Sequence, residues 1–237
     1  SESEGFPVAV GPDLTFNSTD ISQTTDAFVA KVRANGTGLA YCGYVGGPTW
    51  DYGQGIAVDQ AGNAYVVGRT QCSEGDGFPV TVGPDLTHNG AEDAFVAKVR
   101  ANGTRLAYCG YIGGWGIDWG MGIAVDGAGY AYVVGQTGSS ESKGFPVSVG
   151  PDLTHNGWVD AFVAKVDPDG TALGYAGYIG GSDDDLGRGI AVDRAGRSIF
   201  DLGPDFQVFP GDRLVLLGSP EALARAQEAL QAPAFDE

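Results

Sequence analysis

Thiols, bases and long apolar runs are all scarce in this chain of 237 residues. Three Cys are too few, and odd in number, for a disulfide framework. The 13 Lys+Arg are outnumbered by 30 Asp+Glu, a net charge of −17. Such a surface repels nucleic acid and anionic membrane, so neither is expected as a partner. No apolar run reaches the ~18 residues of a membrane-spanning helix. Residues 1–5, Ser-Glu-Ser-Glu-Gly, have neither the basic nor the apolar stretch of a signal peptide. The two His, His88 and His155, share one context, Asp-Leu-Thr-His-Asn-Gly, where the first copy has Phe16. A catalytic His is unique and paired with an orienting acid, so both read as structural loop residues. No Gly-x-Ser-x-Gly elbow, His-Glu-x-x-His helix or phosphate loop is found, and an enzyme is not expected.

What is abundant is Gly, 40 residues, with 43% apolar and 11% aromatic content. So much Gly excludes helical bundles and coiled coils, because each costs a helix interior about 1 kcal/mol. The aromatic share excludes a disordered chain.

Three blocks repeat with a period of 67. Asp-Ala-Phe-Val-Ala-Lys-Val starts at Asp26, Asp93 and Asp160. Gly-Thr-x-Leu-x-Tyr-x-Gly-Tyr-(Val/Ile)-Gly-Gly starts at Gly36, Gly103 and Gly170, and Gly-Ile-Ala-Val-Asp at Gly55, Gly122 and Gly189. A fourth, Ala-Gly-Asn-Ala-Tyr-Val-Val-Gly from Ala61, returns from Ala128 and degrades after Ala195. Each period reads as four strands. Phe28, Ala30 and Val32 share one face of the first; Asn35-Gly36 is a hairpin signal; the second covers 39–45; the last two form a hairpin across 59–62. Four short antiparallel strands with a long link to the next unit is the pattern of a β-propeller blade.

These residues resemble the SBBP β-propeller repeat of bacterial and archaeal surface or secreted proteins, in three copies over residues 5–200. The resemblance implies a propeller and an extracellular or cell-surface setting, with no catalytic residues. The expected architecture is all-β: an array over 1–200 of three four-stranded antiparallel blades (26–76, 93–143 and 160–200) in an incomplete or open ring. A short strand-helix tail is expected over 201–237. In it, Pro210-Gly211-Asp212 leads the apolar strand 213–218, and Ser219 caps a helix with Leu223, Ala226 and Leu230 on one stripe. The tail resembles the second half of the C-terminal domain of RCK-type potassium-uptake regulators (TrkA-C).

The copies differ most after the double Gly, where three of the four Trp fall. The first copy offers Trp50, Asp51 and Tyr52, the second Trp115, Asp118 and Trp119, and the third Asp183 and Asp185. On a propeller such loops gather at one end, and these eight residues are the candidate ligand-binding set for a protein or glycan. The competing reading packs the aromatics between blades. No cofactor is expected. Calcium is raised by the acidity and by Gly113–Asp118, which opens like a calcium-binding nonapeptide, but the required apolar residue falls one place early. Asp51, Asp118 and Asp185 read better as loop anchors accepting backbone N–H bonds.

Asn17, Asn35 and Asn102 fit the glycosylation pattern, although turns already account for Asn35 and Asn102. Cys42 and Cys109, on equivalent strands about 10 Å apart, are too distant for a disulfide and read as small buried residues. Three blades do not close a ring of usual size, so open edges invite self-association. The expected function is a non-catalytic surface or secreted interaction module. The alternatives are a cytoplasmic regulatory module acting through the tail, and a truncated or fused fragment.

Overall fold

The computed structural model describes residues 5–17 and 25–192, and the backbone alone of 198–200. The expectations for the tail at 201–237 lie outside the described residues.

Among the described residues, twelve strands carry the fold: β1 Ala27–Val32, β2 Leu39–Val45, β3 Asp51–Val58, β4 Ala64–Thr70, β5 Asp93–Val99, β6 Leu106–Ile112, β7 Asp118–Val125, β8 Ala131–Thr137, β9 Asp160–Val166, β10 Leu173–Ile179, β11 Ile190–Val192 and β12 Ser198–Phe200. Apart from a three-residue 3-10 turn at Glu141–Lys143, the described residues are strands and loops. The four strands per period fall where the sequence places them. Asn35 does not adopt the left-handed conformation expected of an Asn-Gly hairpin, and only Gly36 does, at φ 70°. Asn35 instead accepts hydrogen bonds from the Thr37 N–H and hydroxyl at 3.1 and 2.8 Å, holding a six-residue loop.

The grouping of strands differs from the expected blades. The four-stranded antiparallel sheets are β3-β4-β5-β6 and β7-β8-β9-β10, so each takes its first two strands from one period and its last two from the next. β1-β2 and β11-β12 are two-stranded, and the described residues form an open array. The physical reason lies in the long link. Residues 71–92 do not lead to a new sheet; they run along the outer strand β6 and return to place β5 beside β4. Cys109 N donates to Val82 O at 2.8 Å and Tyr111 N to Asp85 O at 2.8 Å. The same cover lies on β2 and on β10. It screens an edge that would otherwise invite pairing with another chain. Gly83 permits the approach, since a Cβ there would meet the Gly110 Cα at 2.4 Å.

Central strands, covered on both faces, read as continuous apolar runs, and β4 and β5 are buried along almost their whole length. Two cores result. One joins the β1-β2 pair to sheet β3–β6 through Val29, Tyr41, Val45, Val66, Phe95 and Val99. The other joins the two full sheets through Tyr65, Val67, Val96, Tyr108, Val133 and Phe162. β7 packs against β3, β4 and β5, and β11 against β7 and β8, so the first strand of each sheet lies over the sheet before it. All three cysteines are buried and free; Cys42 faces Ala30 and Cys109 faces Ala97. Ala176, in the same position of the third copy, is equally buried.

Candidate functional site

The variable segments sit where the first strands begin. Asp51 and Asp118 open β3 and β7, and both are essentially inaccessible to solvent. Asp51 Oδ2 accepts from Gly47 N at 2.7 Å, and Oδ1 from the Thr70 hydroxyl at 2.5 Å. Asp118 Oδ2 accepts from Gly114 N and the Ser139 hydroxyl, each at 2.8 Å, and Oδ1 from the Thr137 hydroxyl. Asp185 Oδ2 accepts from Gly181 N at 2.7 Å. Asp51 and Asp118 are thus internal anchors, with both carboxylates buried in hydrogen bonds of their own loops. Each closes its own loop and ties it to the next strand, leaving no face for a ligand. The calcium-like opening at Gly113–Asp118 spends its carboxylate the same way. Among the described residues no group of three or more His, Cys, Asp or Glu is arranged to hold a metal.

Beside these anchors lies a second series of carboxylates, the leading Asp of each Asp-Ala-Phe-Val block. Asp93 Oδ2 accepts from Asn89 N at 2.8 Å and Asp160 Oδ2 from Asn156 N at 2.9 Å. The Oδ1 atoms of Asp93 and Asp160 are buried without a hydrogen-bond partner among the described residues. Asp93 Oδ1 and Asp118 Oδ2 crowd one backbone position: a Cβ on Gly113 would lie 2.7 and 3.0 Å from them. Burial lifts the Asp51 and Asp93 carboxyls to about 7 and raises those of Asp118 and Asp160. A carboxyl out of water resists ionising, and a like charge beside it adds to the resistance.

Over these anchors the side chains form a ladder drawn from two sequence repeats. Tyr52 on β3 pairs with Arg69 on β4. The Arg69 guanidinium lies 4.5 Å from the Tyr52 ring centre and 3.9 Å from that of Trp119 on β7. Glu92, just before β5, accepts from Arg69 Nη1 at 3.0 Å, Trp119 Nε1 at 2.5 Å and Gln71 Nε2 at 2.8 Å. Trp50 meets the edge of Tyr52 with ring centres 6.1 Å apart. A cation between two rings contributes about 0.5–2 kcal/mol per contact, more as water is excluded. The ladder therefore fixes Tyr52 and Trp119 rather than leaving their faces free, the packing that the competing reading of the aromatics expects.

The sequence points to Trp50, Tyr52 and Trp119 here but not to Arg69, Gln71 or Glu92. Arg69 and Glu92 meet only because β4 pairs with β5, across the boundary drawn between blades. Outside the ladder, Trp115 is 76% and Trp158 87% exposed, with Asp183 and Asp184 exposed on the neighbouring loop. Trp158 lies beside the loop of Ile117, since both carbonyls come within 3.7 Å of where a Gly138 Cβ would stand. His88 and His155 reach the carbonyls of Thr70 and Thr137, at 3.4 and 3.2 Å, and turn their ring edges to Tyr111 and Tyr178. They tie the outer link to the end of a central strand.

The four-stranded antiparallel sheets, stacked on their first strands, are those of β-propeller blades. The SBBP beta-propeller repeat family matches this chain at residues 44–71 and 108–141. Each match begins in an outer strand and runs through the next two, which keeps the anchoring Asp and its Thr within one stretch. No curated protein matches the chain. No helix among the described residues is long and apolar enough to cross a membrane.

Proposed function

We propose that this chain is a non-catalytic interaction module that binds a protein at the end carrying the ladder, in an extracellular or cell-surface setting. One observation carries the reading: Trp115 and Trp158 stand 76% and 87% exposed on loops tied down by the buried carboxylates of Asp118 and Asp160. Large aromatics held out on a rigid frame lose little entropy on binding, and Trp leads the residues that dominate interface energies. Propeller repeats are generally non-catalytic interaction modules. The net charge of −17 and the exposed Asp183 and Asp184 favour a partner with a basic rim. A glycan is the second reading. No ring among the described residues packs against the Trp115 or Trp158 indole, so each has a face free for a sugar ring.

The test is a displayed peptide library and a glycan array, each probed with the native chain and with Trp115→Ala/Trp158→Ala. Substituting such exposed residues changes stability by less than about 0.5 kcal/mol, so folding is preserved. Peptide ligands lost in the double variant support the protein reading. Glycans lost in it establish the second. Ligands of either kind that bind both proteins alike overturn the proposal.

A further inference from the structure

The two-stranded pairs at either end of the array are complementary halves. β1-β2 corresponds to β5-β6 and β9-β10, and each of those is completed by a pair on the inner side, β3-β4 or β7-β8. β1 lacks that pair: among the described residues it bonds only to β2. β11-β12 is a pair of the missing kind, and among the described residues β12 bonds only to β11. Its first strand lies in Gly189-Ile190-Ala191-Val192-Asp193, the same five residues that begin at Gly55 and Gly122.

Exposure marks what is uncovered. Phe28 and Val32 on β1 are 56% and 61% exposed, whereas Phe95, Phe162, Val99 and Val166 in the same positions are at 0%. Ile56 on β3 is 58% exposed and its counterpart Ile123 on β7 is 8%. Ile123 is buried because sheet β3–β6, with its inner pair, lies over it. Ile56 has no such pair above it.

We infer that a second copy of this chain supplies the missing strands: its β11-β12 pair inserts beside β1, over Ile56, while Phe28 and Val32 pack on its last full sheet. The register follows from the period of 67. Val66 faces Ala97 and Val133 faces Ala164, so position 200 (66 plus twice 67) of one copy faces Ala30 (97 minus 67) of the other. The described residues of each copy bring two full sheets and two halves, so two copies joined at both ends make a closed ring of six. Six lies within the usual four to eight blades, and a head-to-tail contact that closes leaves no edge open.

The test is sedimentation velocity on the full chain over a wide concentration range. The expected mass is about 49 kDa, twice the 24.4 kDa of one chain. Ile56→Asp and Val32→Asp alter residues already exposed in one copy, and are expected to sediment as monomers with unchanged circular dichroism. Val149→Asp, 69% exposed on the outer link of the second full sheet, is expected to remain a dimer. Mixing Ala30→Cys/Cys42→Ala, which removes the native thiol facing position 30, with Phe200→Cys under oxidation is expected to give a covalent dimer, since facing strands lie within disulfide reach. A parent chain that stays monomeric at every concentration overturns the inference. So does a dimer that survives both Asp substitutions, or a mixture that forms no cross-link.

Discussion

Replacing Asp93 with Asn is expected to stabilise the protein above neutral pH. The side chain is fully buried, its Oδ1 has no hydrogen-bond partner among the described residues, and Asp118 shares its backbone corner. Burial lifts its carboxyl from 3.8 to about 7, and Asp118, Asp85 and Glu74 add to the rise while the Asn89 amide opposes it. Between those values the folded chain holds a proton that the unfolded chain has released. The group's contribution to stability therefore falls as pH rises from about 4 to about 7, and stays at its full cost above that. A shift of about 3 pH units corresponds to about 4 kcal/mol. Asn keeps the shape and the acceptor for Asn89 N but cannot ionise. Urea unfolding of both proteins at several pH values reads the effect. The variant is expected to gain up to about 4 kcal/mol at alkaline pH and to converge with the parent near pH 4. A variant that is no more stable at alkaline pH, or whose advantage does not change with pH, refutes the shared-corner argument.

Two further changes probe the frame. Arg69→Ala removes the cation between Tyr52 and Trp119 and leaves the half-buried Glu92 without its ion pair. It is expected to cost about 1–3 kcal/mol in thermal unfolding and to red-shift the tryptophan emission; a loss below about 0.5 kcal/mol contradicts the ladder's structural role. Gly68→Ala places a Cβ 1.8 Å from the Tyr52 carbonyl oxygen and 2.8 Å from the Phe95 ring. A clash with backbone cannot be relieved by a rotamer change, so a loss above about 3 kcal/mol is expected by urea unfolding, and a neutral result refutes the β3–β4 approach.

The strands were legible in the sequence because their signals are local. Asn-Gly-Thr and Asp-Gly-Thr turns, double Gly and the 67-residue period put strand ends almost where they occur. The anchoring role of Asp51, Asp118 and Asp185 was legible too, as a short acceptor beside a Gly-rich loop. Which strands share a sheet was not, because pairing over 22 intervening residues (71–92) leaves no local mark. The trace it does leave is burial: β4 and β5 are buried at nearly every position, as strands covered on both faces are, while β3 is open along most of its length. Arg69 and Glu92 escaped notice for the same cause. Neither carries a motif, and each acquires its role only from a partner on the next repeat. The exposure of Phe28 against the burial of Phe95 has no sequence correlate either, since the two strands read alike from Ala27 to Val32 and from Ala94 to Val99.

Both the ladder and the complementary ends depend on sheets that straddle the repeat, so that pairing is the claim to measure. Cross-strand proton–proton Overhauser contacts in solution read it directly. The structure predicts contacts between Val66 and Ala97 and between Val133 and Ala164, the facing residues of β4-β5 and β8-β9. Their absence, with contacts instead joining Leu39–Val45 to Asp51–Val58 within one period, would contradict the account.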